Sequence, residues 1–135
     1  MNLKRKNLLR YAISLSFSYT ELMTRDEFDK LFGFRDLSQE ASGRRLALAR
    51  QAMGVTQPQL AEVVRKTKGA ISNAEHGTSR VPFDIMALFY EKYDIDFNYF
   101  IAGDCSRMPV DVVERIAAFA AINAGPKDSD QSATK

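Results

Sequence analysis

The stretch Thr56–Gly77, TQPQLAEVVRKTKGAISNAEHG, leaves the chain few ways to fold. Thr56 is an N-cap residue, and Gln59 stands at the third helical position after it. Together they form a capping box, in which each side chain satisfies a backbone amide at the helix start. Leu60, Ala61 and Val64 then recur at helical spacing. Arg65 and Lys66 break the apolar period, and Thr67 is a second N-cap. Ile71 and Ala74 give the next helix its buried edge, and Gly77 stops it with the residue that turns left-handed most readily. Two helices of about two turns each, joined by so short a linker, are expected to form a helix-turn-helix. In such a unit the second helix enters the DNA major groove.

At about 100° per residue, Gly69, Ser72, Asn73 and His76 face away from Ile71, and Lys68 projects from the N-terminal end. That face is polar, with no carboxylate and no large apolar group. A carboxylate there would repel phosphate, whereas an ordinary solvated face mixes Glu with Lys. Charge along the chain is polarised in the same sense. Arg44–Arg80 carries seven basic residues against two acidic ones, or +5, and Val81–Asp104 carries one against five, or −4. The basic half is expected to lie toward phosphate, and the acidic half to face away from DNA, where it could meet a partner protein.

Other classes find little support. A chain of 135 residues holds one domain and its tails. Cys105 is the only cysteine, so no intrachain disulfide can form, as expected of a cytoplasmic protein. One histidine and one cysteine are too few for a Cys/His zinc site, and no cofactor is implied. No apolar run approaches the roughly 18 residues of a membrane span. No paired carboxylates, glycine-rich phosphate loop or nucleophile–base set marks an enzyme. No separate ligand domain follows Gly103, so no small-molecule ligand is evident.

Residues 1–22, MNLKRKNLLRYAISLSFSYTEL, begin basic and continue apolar, interrupted by Arg10. The interruption, the serines and the lack of a small-residue cleavage site argue against a secretory signal. Two readings remain: an extension upstream of a true start at Met23, or a short amphipathic arm touching phosphates or a partner. Thr24 and Glu27 make another capping box, Phe28, Leu31 and Phe32 an apolar edge, and Gly33 a stop, so the pattern predicts a short helix over 24–33. Phe34–Glu40 reads as a linker. The first helix of the main domain is expected over Arg44–Ala52, with Leu46, Ala49 and Met53 inward. Ile85, Leu88 and Phe89 mark another helix behind Pro82. Asp96 caps the next, with Phe97, Phe100 and Ile101 inward. Val110, Val113, Ile116, Ala117 and Ala120 stripe a helix over 109–123, which packs on its own domain or on a second copy. The tail from Gly125 is polar and expected to lack order. No strand signal is present, so the fold class is all-α. The expected divisions are an extension over 1–41, a DNA-binding domain over 42–104, a helix over 105–124 and a tail over 125–135.

From Ser42 to Gly103 the chain resembles the phage-repressor and Cro-like (XRE) family of helix-turn-helix proteins. The resemblance is carried by GRRLALARQAMGVTQPQLA (Gly43–Ala61), ISNAEHG (Ile71–Gly77), Pro82 and KYDIDFNYFIAG (Lys92–Gly103). It implies a five-helix lambda-repressor-like domain that binds operator DNA, commonly as a homodimer. It places Gln57 where the family's glutamine meets a phosphate and braces the recognition helix. Thr67, Lys68, Gly69, Ser72 and Asn73 fall at positions that face DNA. Arg50 and Glu75 match an Arg–Glu pair that locks the first helix to the recognition helix, and such a pair fixes geometry more reliably than it adds stability. The chain departs from the family at Arg65, where glycine is frequent. A left-handed turn there would strain Arg65, so a differently shaped turn is expected. Ala74 replaces a large aromatic, and Gly69 and Ala70 replace longer base-reading side chains.

Lys68 can donate to guanine and Asn73 can pair with adenine, each good bidentate contact discriminating by about 1–3 kcal/mol. Two long readers are few. Phosphate contacts from Arg44, Arg45, Gln57, Arg65, Lys66, Thr67 and Arg80, together with DNA shape, are therefore expected to carry much of the affinity. A symmetric dimer on half-sites about 34 Å apart supplies the surface one domain lacks. Phe97, Tyr99, Val113, Ile116 and Ala120 are the dimerisation candidates. The expected function is a dimeric transcriptional repressor of double-stranded DNA sites. The competing expectation is an antitoxin or protein-interaction module that regulates its own promoter through the same domain.

Overall fold

The structure, a computed structural model, describes residues 24–123. The expectations for residues 1–22 and for the tail from Gly125 lie outside them. The described residues are all-helical: α1 (Arg25–Phe32), α2 (Gln39–Ala52), α3 (Gln57–Val63), α4 (Lys68–Glu75), α5 (Phe83–Tyr93), α6 (Phe97–Ala102) and α7 (Val110–Asn123).

Short polar side chains set most of the helix starts. Thr24 and Thr56 form the expected capping boxes with Glu27 and Gln59. Thr67 accepts from the Ala70 amide and Asp96 from the Tyr99 amide, both at 3.0 Å. Each occupies an amide that would otherwise lack a helical partner. The start of α2 differs from expectation. It lies at Gln39 rather than Arg44, because Ser38 caps it by accepting from the Ala41 amide at 3.1 Å. The last two residues of the expected linker, Gln39 and Glu40, are therefore helix.

Helix α2 is the hub. It packs against α4, α6 and α7, while α3 packs on α4, α5 on α6 and α1 on α7. Leu46 and Ala49 of α2 are fully buried with Leu60, Ile71, Ile85, Phe89, Ile95 and Phe100. Phe32 of α1 and Val113, Ile116 and Ala117 of α7 belong to the same apolar cluster. The two outer helices thus complete the core rather than hang from it.

That arrangement corrects four of the dimerisation candidates. Val113, Ile116 and Ala120 are buried against their own domain, which decides between the two dispositions left open for α7. Tyr99 is buried too, and its hydroxyl donates to the Arg45 carbonyl at 2.7 Å. Its ring meets Phe32 and Phe100 edge to face. Ile101, expected inward, is instead exposed, since Tyr99 and Phe100 take the inner side of α6.

Arg45 is a further correction. It is 1% exposed and so cannot meet a phosphate. Its Nε donates to the Phe32 carbonyl at 2.8 Å, Nη1 to those of Phe100 and Ile101 at 3.2 Å, and Nη2 to those of Gly33 and Asp36. These oxygens lie at or just beyond the C-terminal ends of α1 and α6, where carbonyls lack helical partners and the helix dipoles are negative. A guanidinium has five N–H donors, and here they join three helices with no carboxylate bonded to them. Burial lowers the Arg45 pKa from its ordinary value. Ala41, Ala49 and Ala52 fall on the same helix face as Arg45 and are also buried.

Candidate nucleic-acid interface

Helices α3 and α4 are joined by the turn Val64–Thr67. The turn is left-handed at Arg65, with φ 54°. The expected alternative shape is thus not adopted, and Arg65 carries the strain itself. The Lys66 amide donates to the Ala61 carbonyl at 2.9 Å, closing the end of α3. Thr67 then caps α4. The far end of α4 is held just as firmly. The Asn73 carbonyl accepts from the Thr78 amide at 3.0 Å and from the Thr78 hydroxyl at 2.9 Å. Gln39 at the start of α2 donates to the Gly77 carbonyl at 2.8 Å.

The inner side of α4 is locked to α2 and α3. Ile71 and Ala74 are fully buried. The Arg50 Nε donates to Glu75 Oε2 at 2.6 Å and Nη2 to Oε1 at 3.0 Å. Both side chains are largely covered, at 11% and 6% exposed. Gln57 Nε2 donates to the same Glu75 Oε1 at 3.0 Å, and Arg50 Nη1 reaches the Val55 carbonyl at 2.9 Å. One carboxylate therefore gathers α2, α3 and α4, as the Arg–Glu resemblance implies. Gly43 explains how closely α2 and α4 cross. A Cβ there would strike the Ala74 and Glu75 carbonyl oxygens.

The outer side is open. Lys68, Gly69, Asn73 and His76 are exposed, and Ser72 is half-buried. The Ser72 hydroxyl and carbonyl both lie within hydrogen-bond distance of His76 Nδ1, at 3.3 and 2.7 Å. Nothing crowds Gly69, so backbone rather than side chain is presented there. Of the expected phosphate contacts, Arg44, Arg65 and Arg80 are exposed cations. Lys66 is half-buried and paired with Asp84 at 3.3 Å, which ties its charge to the start of α5. Gln57 and Thr67 already serve as brace and cap. The structure therefore gathers Lys68, Gly69, Ser72 and Asn73 on one helical face and separates Arg45 from it.

Among the described residues no group of three or more His, Cys, Asp and Glu side chains is placed to hold a metal ion, and no helix is long and apolar enough to cross a membrane. Comparison with protein-family models, with curated proteins and with solved structures gives no match to this chain.

Proposed function

We propose that this protein is a sequence-specific DNA-binding transcriptional regulator, acting as a dimeric repressor. In this reading α2–α6 form a five-helix, lambda-repressor-like unit and α4 is its recognition helix. The observation that carries the reading is the two-sidedness of α4. Arg50, Gln57 and Glu75 clamp its inner edge, while Lys68, Gly69 and Asn73 stand in solvent with no carboxylate among them. A rigid helix with a small polar outer face suits the major groove, where fixed donors and acceptors read base edges.

Lys68 and Asn73 are the base readers in this proposal. Arg44, Arg65 and Arg80 meet phosphates, and Lys66 joins them once it leaves Asp84. The dimer surface centres on Phe97, the one candidate that keeps part of its ring accessible. It stacks on Phe83 at 5.2 Å and lies edge to face with Tyr90 at 5.8 Å. Phe83 is 71% and Tyr90 50% exposed, an aromatic cluster of the kind that rarely stands alone on a monomer.

The experiment is a selection of bound sites from random duplexes, followed by affinity measurements over a range of salt. Asn73→Ala should relax the choice of base at one position. Arg44→Ala should weaken all sequences alike and lower the salt slope by about one. An unselective pool, or selectivity untouched by Asn73→Ala, would overturn the reading.

A further inference from the structure

His76, the only histidine of the chain, closes α4 as its C-cap with helical dihedrals, φ −84° and ψ −3°. At seven residues from Gly69 it returns to within about 20° of the same side of the helix, and it is exposed there. The ring is held by its own helix. Nδ1 lies 2.7 Å from the Ser72 carbonyl oxygen, which can only accept, so Nδ1 carries a proton. The Ser72 hydroxyl, at 3.3 Å, meets the same nitrogen. Both contacts use Nδ1 and leave Nε2 as the nitrogen open to a partner. Nδ1 keeps its proton in the neutral and the charged ring alike. Protonation therefore adds a donor at Nε2 and leaves the Ser72 contact in place.

The charged groups around this ring leave Nε2 unclaimed. Glu75, on the same helix, is turned inward and bonded to Arg50 and Gln57. Glu40 of α2 packs on the adjoining Gly77, where a Cβ would stand 2.7 Å from the Glu40 Cα, but among the described residues no ion pair to His76 forms. Arg44, one turn on from Glu40, and Arg80, in the loop after α4, are exposed cations. Glu62 of α3 and Lys68 stand at the opposite end of α4. Lys68 and His76 are about 12 Å apart along the axis, close to the width of a major groove. With the start of α4 at the base edges, His76 falls at the groove's rim, where the phosphates run.

We propose that His76 is a DNA contact that donates from Nε2 to a backbone phosphate, so that duplex binding takes up a proton. The inference rests on the reading of α4 as the recognition helix. A phosphate beside the ring favours its charged form, so the complex holds the proton more tightly than the free chain does. Affinity therefore rises as pH falls.

The test is duplex affinity of the full chain at about pH 6 and about pH 8, over a range of salt, with a duplex recovered by selection and one of mixed sequence. Both duplexes should bind roughly three- to tenfold more tightly at the lower pH, because a phosphate contact is blind to sequence. The salt slope should be steeper there by up to about one per chain. His76→Gln, which cannot gain charge, should lose both differences, and His76→Lys, whose charge persists, should bind equally at the two pH values. The position is exposed, so both variants keep the fold. Affinity independent of pH in the unaltered chain, or a pH dependence that survives in His76→Gln, overturns the proposal and leaves a selective α4 standing. Proton-linked binding that is equal for the two duplexes upholds His76 and overturns the sequence-reading role of α4. Binding of neither duplex overturns both.

Discussion

The Arg50 guanidinium meets the Glu75 carboxylate through two hydrogen bonds, Nε to Oε2 at 2.6 Å and Nη2 to Oε1 at 3.0 Å, across the joint between α2 and α4. Two largely covered charges satisfied by one another make each hostage to the other. Removing one leaves an uncompensated charge, at a cost of about 3–5 kcal/mol. Arg50→Met and Glu75→Met should each destabilise on that scale in urea unfolding. The double variant should cost about 1–3 kcal/mol less than the sum of the two. Strict additivity would mean that the pair is not coupled.

Gly43 and Gly69 make opposite predictions for the same substitution. A methyl at Gly43 meets the backbone of α4, which has no rotamer by which to yield. Gly43→Ala should cost about 1–3 kcal/mol by forcing α2 and α4 apart. Gly69 sits in the first turn of α4, where a methyl would meet only the Thr67 hydroxyl oxygen at 3.8 Å, so Gly69→Ala should stabilise, by up to about 1 kcal/mol. Thermal melts of the two variants side by side check this. A stabilised Gly43→Ala would mean that α2 and α4 leave room for a methyl where they cross.

Much of this architecture is legible in the sequence, because it rests on local chemistry. The capping boxes at Thr24 and Thr56, the cap at Thr67 and the short apolar periods that begin at Leu60, Ile71 and Ile85 each act within a few residues, and a linear pattern reports them. The start of α2 is missed because Ser38 caps without a Glu or Gln at the third helical position, and Ser42–Gly43 imitates a helix start. Arg44 and Arg45 then look alike. They lie about 100° apart on the helix, enough to put one in solvent and the other in the core. The sign was present in the alanines at 41, 49 and 52, which mark Arg45's own face and leave room for a long side chain. The partners of Arg45 are carbonyls at or near the ends of two other helices, and no one-dimensional pattern names them. Tyr99 is missed for the same reason, since its hydrogen-bond acceptor lies on α2.

The two neighbouring arginines give a direct contrast. Arg45→Met removes donors from five carbonyl oxygens and should destabilise by about 3 kcal/mol or more through the unpaired groups it leaves. Arg44→Ala should leave stability within about 0.5 kcal/mol, as expected of an exposed position. In the proposed function, Arg44→Ala instead lowers DNA affinity. Equal stability of the two variants would contradict the buried role of Arg45.

Arg65 holds a left-handed conformation that costs an L-residue roughly 1–2 kcal/mol. Glycine adopts it freely, but gives up part of that gain to its larger unfolded-state entropy. Arg65→Gly should therefore raise stability by roughly 0.5–1 kcal/mol. If Arg65 also touches phosphate, the same variant binds DNA less well while melting later. A lowered melting temperature would show that the Arg65 side chain contributes more to the fold than its backbone strain removes.

Alkaline pH should weaken the fold in a defined window. Burial raises the Cys105 thiol from 9.0 to about 12 and lifts Tyr99 well above its ordinary value of 10.0. Both groups release protons more readily when unfolded. Their contribution is fully present below about pH 9 and is lost as pH rises above it. Between about pH 8 and pH 10, urea midpoints should fall by the equivalent of about 1–2 kcal/mol, and Cys105→Ala should remove most of that loss. An unchanged midpoint across that range would place the thiol in water.

In the proposed function, the exposed face from Lys68 to Asn73 reads a duplex. Fluorescence anisotropy of the full chain tests it most directly, using a labelled duplex recovered by selection against unlabelled genomic fragments at moderate ionic strength. A selected duplex should resist competition by a factor on the order of a thousand or more, as specific sites do. Substitution of Asn73 by alanine should remove part of that margin while leaving binding to the fragments unchanged. Equal competition by fragments and selected duplex would contradict the account.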